Sequence, residues 1–219
     1  MRKKIVILGS TSPEIVNILH EIQARGTDAI EVLGFLDDDP QRHGLTCFGL
    51  PVLGDSNLLT SELSDALVVN NVMRTTAIRE KVWRRLQGMG VKFYSSIHPG
   101  VTTRFAQIGS GTIIQEGAII SPGVTIGDQT AISFGVVVAH ETSVGQCCFL
   151  SPGAILNGRV KVAHGAFIGA GAIILPNVTV GDFSMVGAGS VVTDNVPPYH
   201  TVFGSPARTI AIREPKVGQ

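Results

Sequence analysis

Few residues in this chain are of a kind that moves protons, and one of them has an acid as its neighbour: His140, in the run Val138-Ala139-His140-Glu141. An imidazole titrates close to neutrality, and an adjacent carboxylate that accepts from one ring nitrogen leaves the other free to take a proton. The pair therefore suits general-base chemistry. His164 stands without an acid beside it, and His98 precedes Pro99. A solvated corner histidine is the plain reading of the first, and for the second a hydrogen-bonding junction and a substrate role both stay open. Cys47, Cys147 and Cys148 are odd in number and lack a Cys-x-x-Cys spacing, so a reducing cytoplasm is the natural home. The run Asp37-Asp38-Asp39-Pro40 either accepts hydrogen bonds from a base or sugar or is a solvated turn.

The elements that position these residues come from a repeat. Stepping by six from Ile108 gives Ile114, Ile120, Ile126, Ile132, Val138, Val144, Leu150, Leu156, Val162, Ile168, Ile174, Val180, Val186 and Val192, fifteen aliphatics without a gap. A small or β-branched residue stands two positions before each, as at Ala118, Thr130, Ala154, Ala166 and Ser184, and glycine often follows, as at Gly109, Gly127, Gly145 and Gly169. A fixed period of this kind outranks local signals. A period of six does not keep one face of a 3.6-residue helix inward. It fits a parallel β-helix in which each unit is one short strand and one corner, so three units close a coil of eighteen residues and the fifteen units make five coils. The aliphatic points inward, the small residue fills the corner, and glycine is expected to supply unusual backbone angles there. His140, two residues after the inward Val138, falls at a corner, and so does His164, two after Val162. Twenty-four residues separate them, one coil and one side, which puts them on different edges.

Ahead of the coil, Lys3 to Leu8 reads as a buried strand, Pro13 to Arg25 as a helix with apolar Ile15, Ile18, Leu19 and Ile22, and Glu31 to Leu36 and Ala66 to Val69 as further strands. Thr11 or Ser12 is the expected cap of the helix. A second helix runs through Trp83. Alternating β and α imply a short parallel sheet of Rossmann-like kind, with a ligand crevice at the carboxyl ends of its strands. The loops after Leu8, Leu36 and Val69 then point one way. In the first of them, Gly9-Ser10-Thr11-Ser12-Pro13-Glu14, a glycine precedes a helix as in a phosphate cradle. There is no G-x-G-x-x-G, Pro13 lacks a donor and Glu14 adds negative charge, so nucleotide binding and a plain helix start both remain open. The expected organisation is a Rossmann-like domain over 1–97, the coil over 98–200 and a tail over 201–219.

Seventeen Lys and Arg balance seventeen Asp and Glu, which gives binding to nucleic acid or to an anionic membrane nothing to rest on. The apolar run behind Met1-Arg2-Lys3-Lys4 ends at Leu8, too short for an export signal or a bilayer span. A cytoplasmic location is expected.

The chain resembles the bacterial sugar-nucleotide acetyltransferases of the sialic-acid O-acetyltransferase-like family, and most of all the N-acetyltransferases of the bacillosamine, viosamine and perosamine routes. The residues carrying the resemblance are Gly34-Phe35-Leu36-Asp37-Asp38, Ile97-His98-Pro99, Val138-Ala139-His140-Glu141 and Val202-Phe203-Gly204-Ser205-Pro206-Ala207-Arg208. It departs where such proteins carry a Gly-Gly-His-Gly type loop after the first strand, since Ser10-Thr11-Ser12-Pro13 stands there instead. A small insertion also surrounds Asn70 to Thr76.

The resemblance implies a left-handed coil, a homotrimer, and acetyl-CoA as cosubstrate in transfer to the amine of a nucleotide-linked 4-amino-4,6-dideoxysugar. It makes His140 the base, supported by Glu141, and the Gly158 amide the oxyanion donor. Acetyl-CoA would be held by Gly158, Ala170, Ala188, Pro206 and Arg208, and the acceptor by Gly9, Ser10, Thr11, Asp37, Asp38, Asn70, Ser133 and Phe149. The mechanism would be direct attack, with no acyl-enzyme on Cys147 or Cys148. O-acetylation of a sialic acid or another sugar is the alternative within acyl transfer. A zinc carbonic anhydrase on such a coil needs three converging imidazoles, and a scaffold without chemistry would not need the His140-Glu141 pair.

Overall fold

The computed structural model describes residues 2–72 and 75–213, and the chain divides into two compact units at Pro99/Gly100.

In the first unit, β1 (Lys3–Leu8) is the centre of a sheet with β2 (Ile30–Leu36) on one side and β5 (Leu67–Asn70) on the other. Beyond β2 lie β4 (Leu50–Gly54) and β3 (Thr46–Cys47), and beyond β5 lies β6 (Lys92–Phe93). All pairings are parallel except the β3–β4 hairpin, an element the apolar pattern did not announce. Ile5, Val6 and Ile7 have no exposed surface, as expected of a central parallel strand covered on both faces. Helix α1 (Glu14–Arg25) buries Ile15, Ile18, Leu19 and Ile22, the stripe read from the sequence, and ends at Gly26 in the left-handed conformation. Neither Thr11 nor Ser12 caps it. The residue before the helix is Pro13, without a side-chain cap, and the preceding loop is tied instead by Asn71, whose Nδ2 donates to the Gly9 and Ser12 carbonyls at 3.1 Å each. Helix α2 (Thr76–Gly88) is capped by Thr75 and buries Trp83. Of the segment read as an insertion at Asn70 to Thr76, Met73 and Arg74 lie outside the described residues.

The second unit is the coil. Three parallel sheets of two-residue strands form its faces, five strands to each over the repeat. The first face runs Gln107–Ile108, Thr125–Ile126, Ser143–Val144, Lys161–Val162 and Thr179–Val180. The second runs Ile113–Ile114, Ala131–Ile132, Phe149–Leu150, Phe167–Ile168 and Met185–Val186. The third runs Ile119–Ile120, Val137–Val138, Ile155–Leu156, Ile173–Ile174 and Val191–Val192. Each strand pairs with the one eighteen residues on, so the inward aliphatics stack in three columns at a spacing of about 4.8 Å. Fourteen of the fifteen are buried, and the exception, Ile108, is in the first strand, which has a neighbour on one side only.

The small residues two positions earlier are buried too, Ala106 in the first unit of the repeat excepted, and polar atoms among them are satisfied across coils. Thr130 Oγ1 donates to the Gly145 carbonyl at 2.7 Å, Thr142 Oγ1 to that of Asn157 at 2.8 Å, and the Cys148 thiol to that of Ala163 at 3.0 Å. The glycines that follow the aliphatics have a different cause from the one expected. A Cβ at Gly127 would stand 2.6 Å from the Gln146 amide nitrogen of the next coil, so it is close approach of backbones that excludes a side chain. The left-handed angles fall two residues later, and Gln129, Glu141, Cys147, Arg159, Asn177 and Phe183 hold them as non-glycines.

The described part of the tail belongs to the second unit. Strand His200–Gly204 adds in parallel to Met185–Val186 and returns through an antiparallel strand, Ala207–Ile212. Residues 214–219 of the expected tail lie outside the described residues.

Candidate functional site

Corners of the coil are built from three residues, and the amide of the middle one is not used by the strand ladders. At two corners between the first and second faces that amide is met by an aspartate one coil on: the Ser110 N–H donates to Asp128 Oδ1 at 2.7 Å and the His164 N–H to Asp182 Oδ1 at 3.1 Å. The other two edges lack this device. The amides of Gly158, between the third and first faces, and of Ala170 and Ala188, between the second and third, have no partner among the described residues. Backbone donors left open in this way sit where ligand carbonyls or a developing oxyanion can be received.

His140 occupies the third-to-first edge, and Gly158 lies eighteen residues on at the same edge. The imidazole lies over that glycine: a Cβ at Gly158 would be 2.5 Å from His140 Nε2 and 2.6 Å from Cε1. Glycine is thus required here by the ring resting on it, and the ring and the open amide share one spot. Glu141 departs from expectation. Its Oε1 is 3.9 Å from His140 Nδ1, beyond a hydrogen bond, and both side chains are more than half exposed. Glu141 holds the left-handed conformation (φ 59°) common to this corner slot.

His164 has the same slot in its own unit but different neighbours. Its ring meets the edge of Phe183 at 5.1 Å, and Phe183 stacks on Tyr199 at 5.9 Å. His98 is buried. Cys147 and Cys148 are fully buried, and burial pushes the Cys148 thiol up to about 12, which keeps it protonated and unreactive at neutral pH.

The other expected residues gather in separate places. Ala170 and Ala188 are exposed, one coil apart, at the second-to-third edge, and Ser133 is buried at that same edge two coils before Gly169. Phe149 is on the second face, stacked on Phe167 at 5.5 Å. Arg208 is on the final strand, with Nη1 3.8 Å from Asp194. Phe203 was not singled out from the sequence. Its ring lies on Gly187, where a Cβ would collide with Phe203 Cδ2, so an aromatic borders the Ala188 corner. The signal was present, since Gly187 has the slot of Gly127, but here the excluded group is a side chain from outside the repeat. Within one coil, a whole face separates the His140 edge from the Ala170 edge.

In the first unit, the loops after β1, β2 and β5 meet at the carboxyl ends, as expected. Their polar groups are largely occupied by one another. Ser10 donates through its amide and hydroxyl to Asp37 Oδ2, at 3.1 and 2.5 Å, and Asp37 Oδ1 accepts from the Asp39 amide at 3.1 Å. Arg42 joins them, with Nε 2.5 Å from Ser10 Oγ and 3.3 Å from Asp37 Oδ2. Desolvation alone would raise the Asp37 carboxyl. The hydrogen bonds from Ser10 and Asp39 and the Arg42 charge outweigh it, and the group titrates below the usual aspartate value. Asp38 turns to Arg85 at 2.7 Å and to the Ser56 amide at 3.0 Å. Asn70 is buried and accepts from the Val72 amide, Gly9 adopts a φ of 95°, and Thr11 is exposed.

The described residues contain no group of three His, Cys, Asp or Glu placed to hold a metal ion, and no helix among them is long and apolar enough to cross a membrane.

Residues 159–194 match the model of the bacterial transferase hexapeptide, six repeats. No curated protein sequence is significantly similar to the chain. Among solved structures, PerB from Caulobacter crescentus, in complex with CoA and GDP-perosamine, is 29% identical, with 95% of this chain and 97% of that one covered and a TM-score of 0.84. WeeI from Acinetobacter baumannii AYE is 25% identical over 95% of this chain and 100% of its own, with a TM-score of 0.81. The acetyltransferase domain of PglB from Neisseria gonorrhoeae FA1090 is 24% identical over 95% and 100%, with a TM-score of 0.86, a likeness of fold. The chain is a hexapeptide-repeat acyltransferase of the left-handed β-helix class. It has the two-part architecture of the sugar N-acetyltransferases, with a small α/β unit ahead of the coil.

Proposed function

We propose that this protein transfers the acetyl group of acetyl-CoA to the amine of a nucleotide-linked 4-amino-4,6-dideoxysugar, with His140 as general base. The observation that carries the reading is the His140 imidazole lying over the unpartnered Gly158 amide. One spot thereby offers a base for the attacking amine and a donor for the oxyanion that forms on the thioester carbonyl. His140 takes the proton as the amine attacks, Gly158 N–H receives the negative oxygen, and collapse expels the CoA thiolate, with the proton available for its release. No covalent intermediate on the protein is needed, in keeping with the burial of both coil cysteines.

Acetyl-CoA fits the open donors. The exposed amides of Ala170 and Ala188 are suited to the amide carbonyls of a pantetheine arm, and Arg208, with Pro206 on the turn before it, to the phosphates. These lie across a face from His140, so a second copy must bring its Ala170 edge to the first copy's His140 edge. The outer rows of the faces support such an assembly. The third face presents Ile119, Val137, Ile155, Ile173 and Val191, an unbroken aliphatic row, where the first presents Gln107, Thr125, Ser143, Lys161 and Thr179. An apolar row of that length is suited to burial, and closure around a threefold axis gives three shared sites. The acceptor enters by its nucleotide at the carboxyl ends of β1, β2 and β5. PerB, 29% identical, is the relative whose complex holds GDP-perosamine, a nucleotide amino sugar. The location is cytoplasmic.

The test is CoA release from acetyl-CoA with UDP-, dTDP- and GDP-linked 4-amino-4,6-dideoxysugars, read with a thiol reagent and by product mass. Turnover on one of them, with an acetyl mass added at nitrogen, is expected. Silence across that panel together with turnover on a free sugar or sialic acid would overturn the nucleotide-sugar assignment.

A further inference from the structure

Arg159 sits next to Gly158, and its side chain is tethered to the following coil. Its backbone adopts the left-handed conformation (φ 61°) in a slot that Gly123, Glu141 and Asn177 fill on the neighbouring coils of the same edge. Its amide donates to the His140 carbonyl at 3.0 Å, which fixes the residue against the histidine. The side chain runs the other way, toward the next coil, where Nε donates to Asn177 Oδ1 at 2.8 Å. Neither terminal Nη has a partner among the described residues, and the residue is exposed. A guanidinium tethered at Nε has lost most of its rotamer freedom and presents its outer two nitrogens as a preset pair of donors.

The levels along the edge say what those donors meet. The His140 ring lies at the level of Gly158, and the Arg159 guanidinium lies at that of Asn177, one coil or about 4.8 Å further on. From there the coil continues toward the hairpin that carries Pro206 and Arg208. A thioester reacting at His140 with its nucleotide end at Arg208 must run its arm past this level. The first amide carbonyl of pantetheine is only a few bonds beyond the sulfur. We infer that Arg159 is a donor-binding residue that hydrogen-bonds the pantetheine amide carbonyl nearest the thioester, on the bank of the groove opposite Ala170 and Ala188. Asn177 is its positioning residue. The inference rests on the acetyl-CoA reading above and adds to it a side-chain contact.

Calorimetric titration tests it without any acceptor. With CoA, Arg159→Ala should bind about tenfold more weakly than the unaltered protein, as for loss of one charge-assisted hydrogen bond. Asn177→Ala, which keeps the guanidinium and frees it, should lose less. With 3′,5′-ADP, which has the phosphates and no arm, all three proteins should bind alike. Unchanged CoA affinity in Arg159→Ala overturns the inference, and so does an equal loss of 3′,5′-ADP, which would put the contact on the phosphates. Failure of the unaltered protein to bind CoA would instead remove the acyl-donor reading itself.

Discussion

His140 and His164 occupy the same slot of the same repeat, yet the coil makes different things of them. What decides is the unit eighteen residues on. After His140 comes Gly158, a buried glycine with no side chain and no partner for its amide, so the exposed imidazole lies over an unpaired donor. After His164 come Asp182 and Phe183, which accept its amide and pack against its ring. In a fold whose vertical neighbour is always one coil away, chemistry is specified by pairs of residues at that separation, and a single residue type carries little.

Three measurements break or sharpen the contrast. The largest effect is expected from His140→Ala, which should lower turnover about a hundredfold or more with the oligomer intact on size exclusion. His164→Ala should keep turnover within about twofold, and equal losses in the two variants would erase the distinction. Next is Gly158→Ala, whose Cβ cannot coexist with the ring as placed. The imidazole must swing aside, and a loss of turnover on the order of tenfold to a hundredfold is expected with little change in melting temperature. Third, His164→Ala should cost about 1 kcal/mol of stability from the lost aromatic edge contact, read by denaturant unfolding followed by circular dichroism.

The smallest effect belongs to the first unit. Asp37 and Asp38 both titrate below the usual aspartate value, so the stability they contribute is complete above about pH 4 and is lost as the pH falls through their depressed values. Desolvation opposes both shifts, and the hydrogen bonds from Ser10 and Ser56 together with the charges of Arg42 and Arg85 prevail. Trp83, the single tryptophan, is buried in α2 and reports on this unit alone. Its fluorescence should show acid unfolding setting in below about pH 4, and Ser10→Ala should remove about 1 kcal/mol at neutral pH while making the acid slope shallower. A steeper slope in that variant would show that Ser10 does not hold the carboxylate.

The coil was legible from sequence because a constant step determines each residue's neighbours above and below. The inward aliphatics, the polar and apolar outer rows and the His140–Gly158 pairing follow from counting. The glycines were found for the wrong reason, since periodicity reveals where small residues stand but not whether backbone angle or backbone approach requires them. Nor does counting give side-chain direction, so the 3.9 Å between Glu141 and the His140 ring was not legible in the motif. Arg159 escaped notice because its tether depends on the same kind of direction. The first unit has no step. Ser10, Asp37 and Arg42 are brought together by strand order and by a 3₁₀ turn, and their mutual occupation was not visible in the motifs.

The antiparallel strand Ala207–Ile212 has a further consequence. Parallel rungs are templates for more parallel rungs, and a column ending at Met185–Val186 would offer an open edge to the start of another. The reversal at Gly204 turns that edge back on itself and places Arg208 along the new one. The hairpin thus replaces the open parallel edge of the second face, and chains shortened before it are expected to associate end to end more readily.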